Sequence, residues 1–227
     1  MTTDASVDAV TPTGWERRQQ QTRQDVLTAA GEIIAADGID GLTMRRLAST
    51  AGVAVATLYN QFGDRDGVIV AYVSNGLDQL EVEFELQPPH EPVEATRALL
   101  RTLDETVDAD VDVWRPIFSL LGAAPAAMYG LGEVGERLVQ LIEHDLRRAD
   151  ADGMFIPGCD IDRMARHVFI TRMNRLEKWA TGAIDWAEYR ASSDLGLEIV
   201  FAAVLADDDA RLRALRAAAV LSSTSDS

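Results

Sequence analysis

The stretch Thr43–Phe62, TMRRLASTAGVAVATLYNQF, decides how the rest of the chain is read. Thr43 suits a helix N-cap, because its hydroxyl can accept a hydrogen bond from an otherwise unpaired first-turn N–H. Leu47, Ala48 and Ala51 then give one apolar edge to a short helix that should stop at Gly52, a residue at ease in the left-handed conformation. Leu58 and Phe62 repeat at i, i+4 and pin a second short helix to the same core, while Ala48 is small enough for the two helices to approach closely. The pattern is a helix-turn-helix.

The second helix turns Val55, Ala56, Thr57, Tyr59, Asn60 and Gln61 outward. This face carries small apolar groups, two amides and an aromatic hydroxyl, but no charge. Two readings fit it. It is either a solvated surface of an ordinary helical bundle or a face shaped for the major groove, where an amide pairs with adenine, a small apolar group meets a thymine methyl and a tyrosine hydroxyl holds a phosphate.

On the N-terminal side, Val26, Ala29, Ala30, Ile33 and Ile34 form a helical stripe that Asp37-Gly38 should close. Arg17, Arg18 and Arg23 lie near the start of that helix, placed equally for phosphates or for solvent. On the C-terminal side, Asp64 suits the N-cap of a long helix carrying Val68, Ile69, Tyr72, Val73 and Leu80 and ending before Pro88-Pro89. A helix of about twenty residues spans roughly 30 Å, so it can connect a small N-terminal domain to the remainder of the chain. Helices are further expected over 92–107, over 113–128 with a break or kink near Pro116 and Pro125, and over 133–149. Asp160 and Asp185 should cap the next two, ending near Gly182 and before Asp207, and a short tail helix completes the series. The helix after Asp185 is apolar on two sides, Leu195, Ile199 and Ala202 on one and Leu197, Val200, Phe201 and Val204 on the other. A helix that is apolar nearly all round calls for two partners, and the second can be the same helix of another protomer.

Composition agrees with an all-α protein. The chain has 227 residues, 47% of them hydrophobic and only 6% aromatic, enough to bury a proper core. No apolar run reaches membrane-spanning length and no secretory signal opens the chain, so the cytoplasm is the expected location. The lone cysteine, Cys159, permits no intrachain disulfide; its place just before a helix start fits either a lowered thiol pKa or a bystander. Net charge is −16, which argues against a general nucleic-acid coat. The charge is uneven: residues 1–68 carry −3 and the remainder −13, so acid would repel DNA from the far part and orient the near part toward it.

Other constellations do not assemble into a site. Gly130-Leu-Gly132-Glu-Val-Gly135 matches the dinucleotide fingerprint, but that motif needs a strand before it and a βαβ unit around it, and a helix-to-helix connection is the expected reading. His90, His144 and His167 have no partner at i+3 or i+4, so no metal site is expected. No catalytic grouping can be formed, and no enzyme activity or cofactor is expected.

At their spacings, Ala30, Gly38, Thr43, Leu47-Ala48, Ala51-Gly52-Val53, Thr57-Leu58-Tyr59, Phe62 and Arg65 resemble the DNA-binding domain of the TetR family of bacterial regulators. The resemblance covers about a fifth of the chain. It implies a cytoplasmic, homodimeric, ligand-responsive regulator, by family default a repressor, with a DNA-binding domain over 13–63 and a ligand-binding and dimerisation domain over 64–221; by composition, 1–12 read as a disordered arm and the Ser-rich 222–227 as a disordered tail. By resemblance Thr43, Thr57, Tyr59 and Arg65 contact phosphates, Val55, Ala56, Asn60 and Gln61 face the bases of a near-palindromic operator, and Arg45 and Arg46 belong to the same DNA-facing set. The dimer would form through the helices at 160–181 and 185–206. A mainly hydrophobic ligand would sit among Trp114, Phe118, Leu121, Met128, Leu141, Phe169, Arg172 and Met173. Ala54 departs from the family, which commonly caps the reading helix with Ser or Thr, and Arg65 replaces the usual Lys. The alternative from another class is a helical ligand- or partner-binding protein of the same fold without operator binding.

Overall fold

The computed structural model describes residues 13–86, 93–123 and 127–223. Residues 1–12, the prolines at 88, 89, 92 and 125, and His90 lie outside them, as do the side chains of Leu121 and Met128. Ten helices are present among the described residues: α1 (Gly14–Gly41, kinked at Gly38), α2 (Met44–Ala51), α3 (Val55–Phe62), α4 (Arg65–Leu86), α5 (Glu94–Ala109), α6 (Val111–Ala123), α7 (Ala127–Ala151), α8 (Ile161–Ala180), α9 (Trp186–Val204) and α10 (Asp208–Ser223). The one β-bridge among them joins Phe155 to Leu205 and fastens the loop after α7 to the end of α9.

Two hydrophobic cores organise the helices. In the first, Val26, Ala30, Ile33 and Ile34 of α1 pack with Leu47 and Ala48 of α2, Leu58 and Phe62 of α3, and Val68 and Ile69 of α4. This core does not end with the three-helix head. It continues through Val113, Trp114 and Ile117 of α6 to Leu176 and Trp179 of α8 and Tyr189 of α9. The second core gathers Leu99 and Leu100 of α5, Val139, Ile142 and Leu146 of α7, Val168 of α8, and Leu197 and Phe201 of α9. Helix α4 belongs to both, since Val68, Ile69 and Ala71 lie in the first while Leu77 and Leu80 lie in the second.

Three expectations are corrected. The helix expected over 113–128 starts at Val111 and ends at Ala123, running unbroken through Pro116 although that residue has no N–H to give to the Asp112 carbonyl one turn back. The next helix begins at Ala127 rather than 133, so Gly130-Leu-Gly132-Glu-Val-Gly135 lies inside α7 and not in a connection. Packing explains the glycine at 135: a Cβ there would stand 3.0 Å from the Phe169 ring of α8, so its absence lets the two helices approach. The tail helix α10 is sixteen residues long and packs on α9.

Long-range polar bonds tie the second core together. Val93, with φ of 76°, supplies no side-chain cap to α5. Asp145 of α7 does so instead, its Oδ2 accepting from the N–H of Val93 at 3.3 Å, the N–H of Thr96 at 3.0 Å and the Thr96 hydroxyl. Arg97 of α5 donates to both carboxylate oxygens of Glu198 on α9 at 2.6 and 2.9 Å and lies over the Phe201 ring. Burial alone would lower the Arg97 pKa, but the bonds to Glu198 outweigh it and raise it. Arg137 of α7 bonds Asp78 and Glu81 of α4 at 2.8 and 2.6 Å, holding the far half of α4. No helix among the described residues is long and apolar enough to cross a membrane.

Candidate nucleic-acid interface

Local chemistry builds the helix-turn-helix as its sequence requires. The Thr43 hydroxyl accepts from the Arg46 N–H at 3.2 Å and starts α2. Gly52 ends it at φ 67°, and the N–H of Val53 returns to the Ala48 carbonyl at 3.0 Å. Helix α3 is then seated by Leu58 and Phe62, both buried. No side chain caps α3: Ala54 contributes only its carbonyl, which accepts from the Thr57 N–H at 2.9 Å. Asp64 caps α4, accepting from the Gly67 N–H at 2.9 Å.

Gly67 is a positioning residue that the sequence pattern did not single out. A Cβ at 67 would lie 1.9 Å from the Phe62 carbonyl oxygen, so any other residue would push α4 away from the end of α3. A glycine three residues after an N-cap Asp was the only signal available, and α-helical spacing alone does not rank it.

The outward face of α3 is intact. Val55 is 38% and Tyr59 52% exposed. Ala56, Thr57 and Asn60 are exposed beside them, and Gln61 is half-buried. Thr43 uses its acceptor side for the cap, which leaves its hydroxyl proton free to donate outward. Arg45 is exposed, whereas Arg46 pairs with Asp37 of α1 and Arg65 lies 3.5 Å from Asp66. The cations expected to face DNA are therefore presented unequally.

The residues expected around a ligand fall into two groups. Trp114, Phe118 and Met173 pack against the first core, with Trp114 stacked 5.8 Å from Phe118 and tilted 5.6 Å from Tyr72. Leu141 and Phe169 pack against the second. Arg172 lies between and is committed: buried, it pairs with Asp104 of α5 and donates to the Leu100 carbonyl at 2.9 Å, while the Tyr189 hydroxyl donates to Asp104 at 2.8 Å. Burial raises the Tyr189 hydroxyl well above its usual range and also raises the Asp194 carboxyl. Beside this network lies a small cleft lined by residues that include Leu100, Arg172, Ser193 and Leu197. The Ser193 hydroxyl in it is buried without a partner. Arg115, another polar group beside the aromatic set, reaches the carbonyls of Trp179 and Ala180 at 3.4 and 3.5 Å. Burial pushes the Cys159 thiol up, opposite to an activated thiolate.

Residues 26–72, the helix-turn-helix and the start of α4, match the family model of the bacterial regulatory proteins of the tetR family. The match places this N-terminal head with the DNA-binding domains of the tetR family. It is 28% identical over 144 residues to the HTH-type transcriptional regulator HbdR of Aromatoleum sp. (strain CIB), a match covering 61% of this chain and 62% of that one. It is 26% identical over 96 residues to the HTH-type transcriptional regulator AcrR of Shigella flexneri, covering 40% and 45%. The chain thus spans less than two thirds of the length of either curated relative. Its fold is similar to that of Thermus thermophilus FadR, a TetR-family transcriptional repressor solved with lauroyl-CoA, with a TM-score of 0.65 at 26% identity over 82% of this chain and 96% of that one. It is also similar to that of SmeT, the repressor of the Stenotrophomonas maltophilia multidrug efflux pump SmeDEF, with a TM-score of 0.64 at 21% identity over 82% and 91%.

Proposed function

We propose that this chain is a dimeric, ligand-responsive transcriptional regulator, a repressor released from its operator by a mainly hydrophobic small molecule. One observation carries the reading: the helix-turn-helix head shares a continuous core with α6, α8 and α9. A shift around Trp114 or Trp179 therefore repacks side chains that touch the head, and α4 carries the same displacement along its length. Helix α3 enters the major groove with Val55, Ala56, Asn60 and Gln61 toward bases and with Thr43, Thr57, Tyr59, Arg45, Arg46 and Arg65 toward phosphates. Two copies pair through α8 and α9, where Ile170 and Ile199 are more than half exposed. Two heads then meet half-sites about 34–36 Å apart or a multiple of that.

The effector sits beside Trp114, Phe118 and Met173. The acyl chain of the lauroyl-CoA bound to FadR and the triclosan bound to SmeT are apolar, in keeping with an aromatic and methionine lining. Arg172, bound to Asp104, holds the wall of this region rather than the ligand. Binding in this region changes the distance between the two heads, so that both cannot seat at once.

Fluorescence anisotropy against a duplex selected from a randomised pool tests the reading. Salt-dependent binding by a dimer is expected, with Asn60→Ala relaxing the choice at one base pair and Tyr59→Phe weakening all sequences alike. A wild-type chain that selects no duplex would make it the helical binding protein without operator recognition.

A further inference from the structure

Helix α1 extends well beyond what the head requires. Its first buried residue is Val26, and Thr13, Gly14, Trp15 and residues 17–21 are all exposed, Trp15 to 71%. These turns bury nothing, so packing gives no reason for them; most helical stability in proteins comes from a packed face. Their composition is unlike that of the rest of the chain. Residues 13–23 carry Arg17, Arg18 and Arg23 against Glu16 alone, interleaved with Trp15, Gln19, Gln20 and Gln21, in a protein of net charge −16.

Arg23 shows where the extension stands. Its guanidinium lies 5.2 Å from the centroid of the Phe62 ring, the last residue of α3. The helical residues before it, rising 1.5 Å each, reach about 14 Å further. The positive turns therefore begin at the C-terminal end of the reading helix and continue past it.

We propose that the projecting end of α1 is a second DNA-binding surface, which grips the duplex backbone flanking the half-site read by α3. Arg17 and Arg18 take phosphates, the glutamines add neutral donors, and Trp15 covers an adjacent sugar edge with its indole N–H free to donate. Duplex DNA is the occupant because the segment is the positive part of an acidic chain and starts beside the last residue of α3, the helix with the uncharged outward face. The proposal rests on the regulator reading and adds to it a longer footprint and affinity that is independent of sequence.

The test compares the full-length wild type with Arg17→Ala/Arg18→Ala on the selected duplex, with long flanks and trimmed to the half-sites, over a range of salt concentrations. Each lost phosphate contact should make the plot of log affinity against log salt shallower by about 0.9. Two arginines in each of two protomers predict a change of about two to four. The deficit should appear on the long duplex, vanish on the trimmed one and be restored by Arg17→Lys/Arg18→Lys. The side chains are exposed, so thermal unfolding should not move. An unchanged slope on the long duplex overturns the proposal and leaves the regulator reading standing. An unchanged slope with a reduced mass in light scattering also overturns it and makes the surface a contact between chains. A wild type that selects no duplex removes the regulator reading and the proposal together.

Discussion

The head and the second domain are held together by different means. In the head the specifying contacts are local: Thr43 caps its own helix three residues on, Gly52 turns the chain, and Asp64 caps α4 at Gly67. In the second domain the specifying contacts join distant parts of the chain. Asp145 caps a helix 49 residues upstream, Tyr189 bonds Asp104 across 85 residues, and Arg97 reaches Glu198 across 101. A unit built on local contacts keeps its shape when its surroundings move, which suits the proposed reading of DNA. A unit tied by a few buried polar bonds has discrete arrangements to exchange, because breaking one such bond leaves an uncompensated group in the interior.

Breaking the polar ties should therefore cost the second domain more than any cap costs the head. Arg172→Met leaves Asp104 buried without its cation, and a loss of about 3–5 kcal/mol is expected. Urea denaturation measures it. Adding Asp104→Leu should recover much of the loss, since the pair and not either charge is what the core accepts; a single variant within about 1 kcal/mol of wild type would end the argument. Asp145→Ala should cost about 1–3 kcal/mol by stranding the N–H groups of Val93 and Thr96. Hydrogen exchange should show that opening at the start of α5 while the amides of α2 and α3 stay unchanged. Deprotection spreading evenly into the head would erase the contrast between the two regions.

The smallest effect is expected in the head. Ala54→Ser supplies the missing cap of α3, for an expected gain of about 1 kcal/mol in unfolding free energy. The new hydroxyl accepts from within the first turn of α3, so melting with and without duplex should show the same gain. A gain confined to the DNA-bound state would mean that the first turn of α3 is ordered by phosphate rather than by its own chemistry.

The same difference sets how far each region could be read from the residues. Helix α2, its glycine stop, the seating of α3 by Leu58 and Phe62, and the caps at Asp64, Asp160 and Asp185 all depend on neighbours within four residues. Such signals survive in a one-dimensional pattern. The start of α7 did not, because Gly130, Gly132 and Gly135 suggest a connection by propensity while the packing of Phe169 against Gly135 favours a helix. The eight-residue ligand set mixed two cores for a similar reason: apolar periodicity shows that Trp114 and Leu141 point inward, not that they point into different interiors. Arg172 looked like a free anchor because its partner, Asp104, lies 68 residues away on another helix.

By itself the amino-acid order determined the all-helical class, the helix-turn-helix and the uncharged outward face of α3, since spacing, capping and backbone preference act within a turn or two. The tertiary structure decided that the head and the second domain share a core, that Gly67 must be glycine for α4 to meet α3, and that Arg172 is committed to Asp104. It also decided that Arg23, where the basic end of α1 starts, stands beside the end of α3. Gly67 answers to the Phe62 carbonyl five residues back; the others depend on which distant side chains folding brings together, and residue spacing carries no record of that.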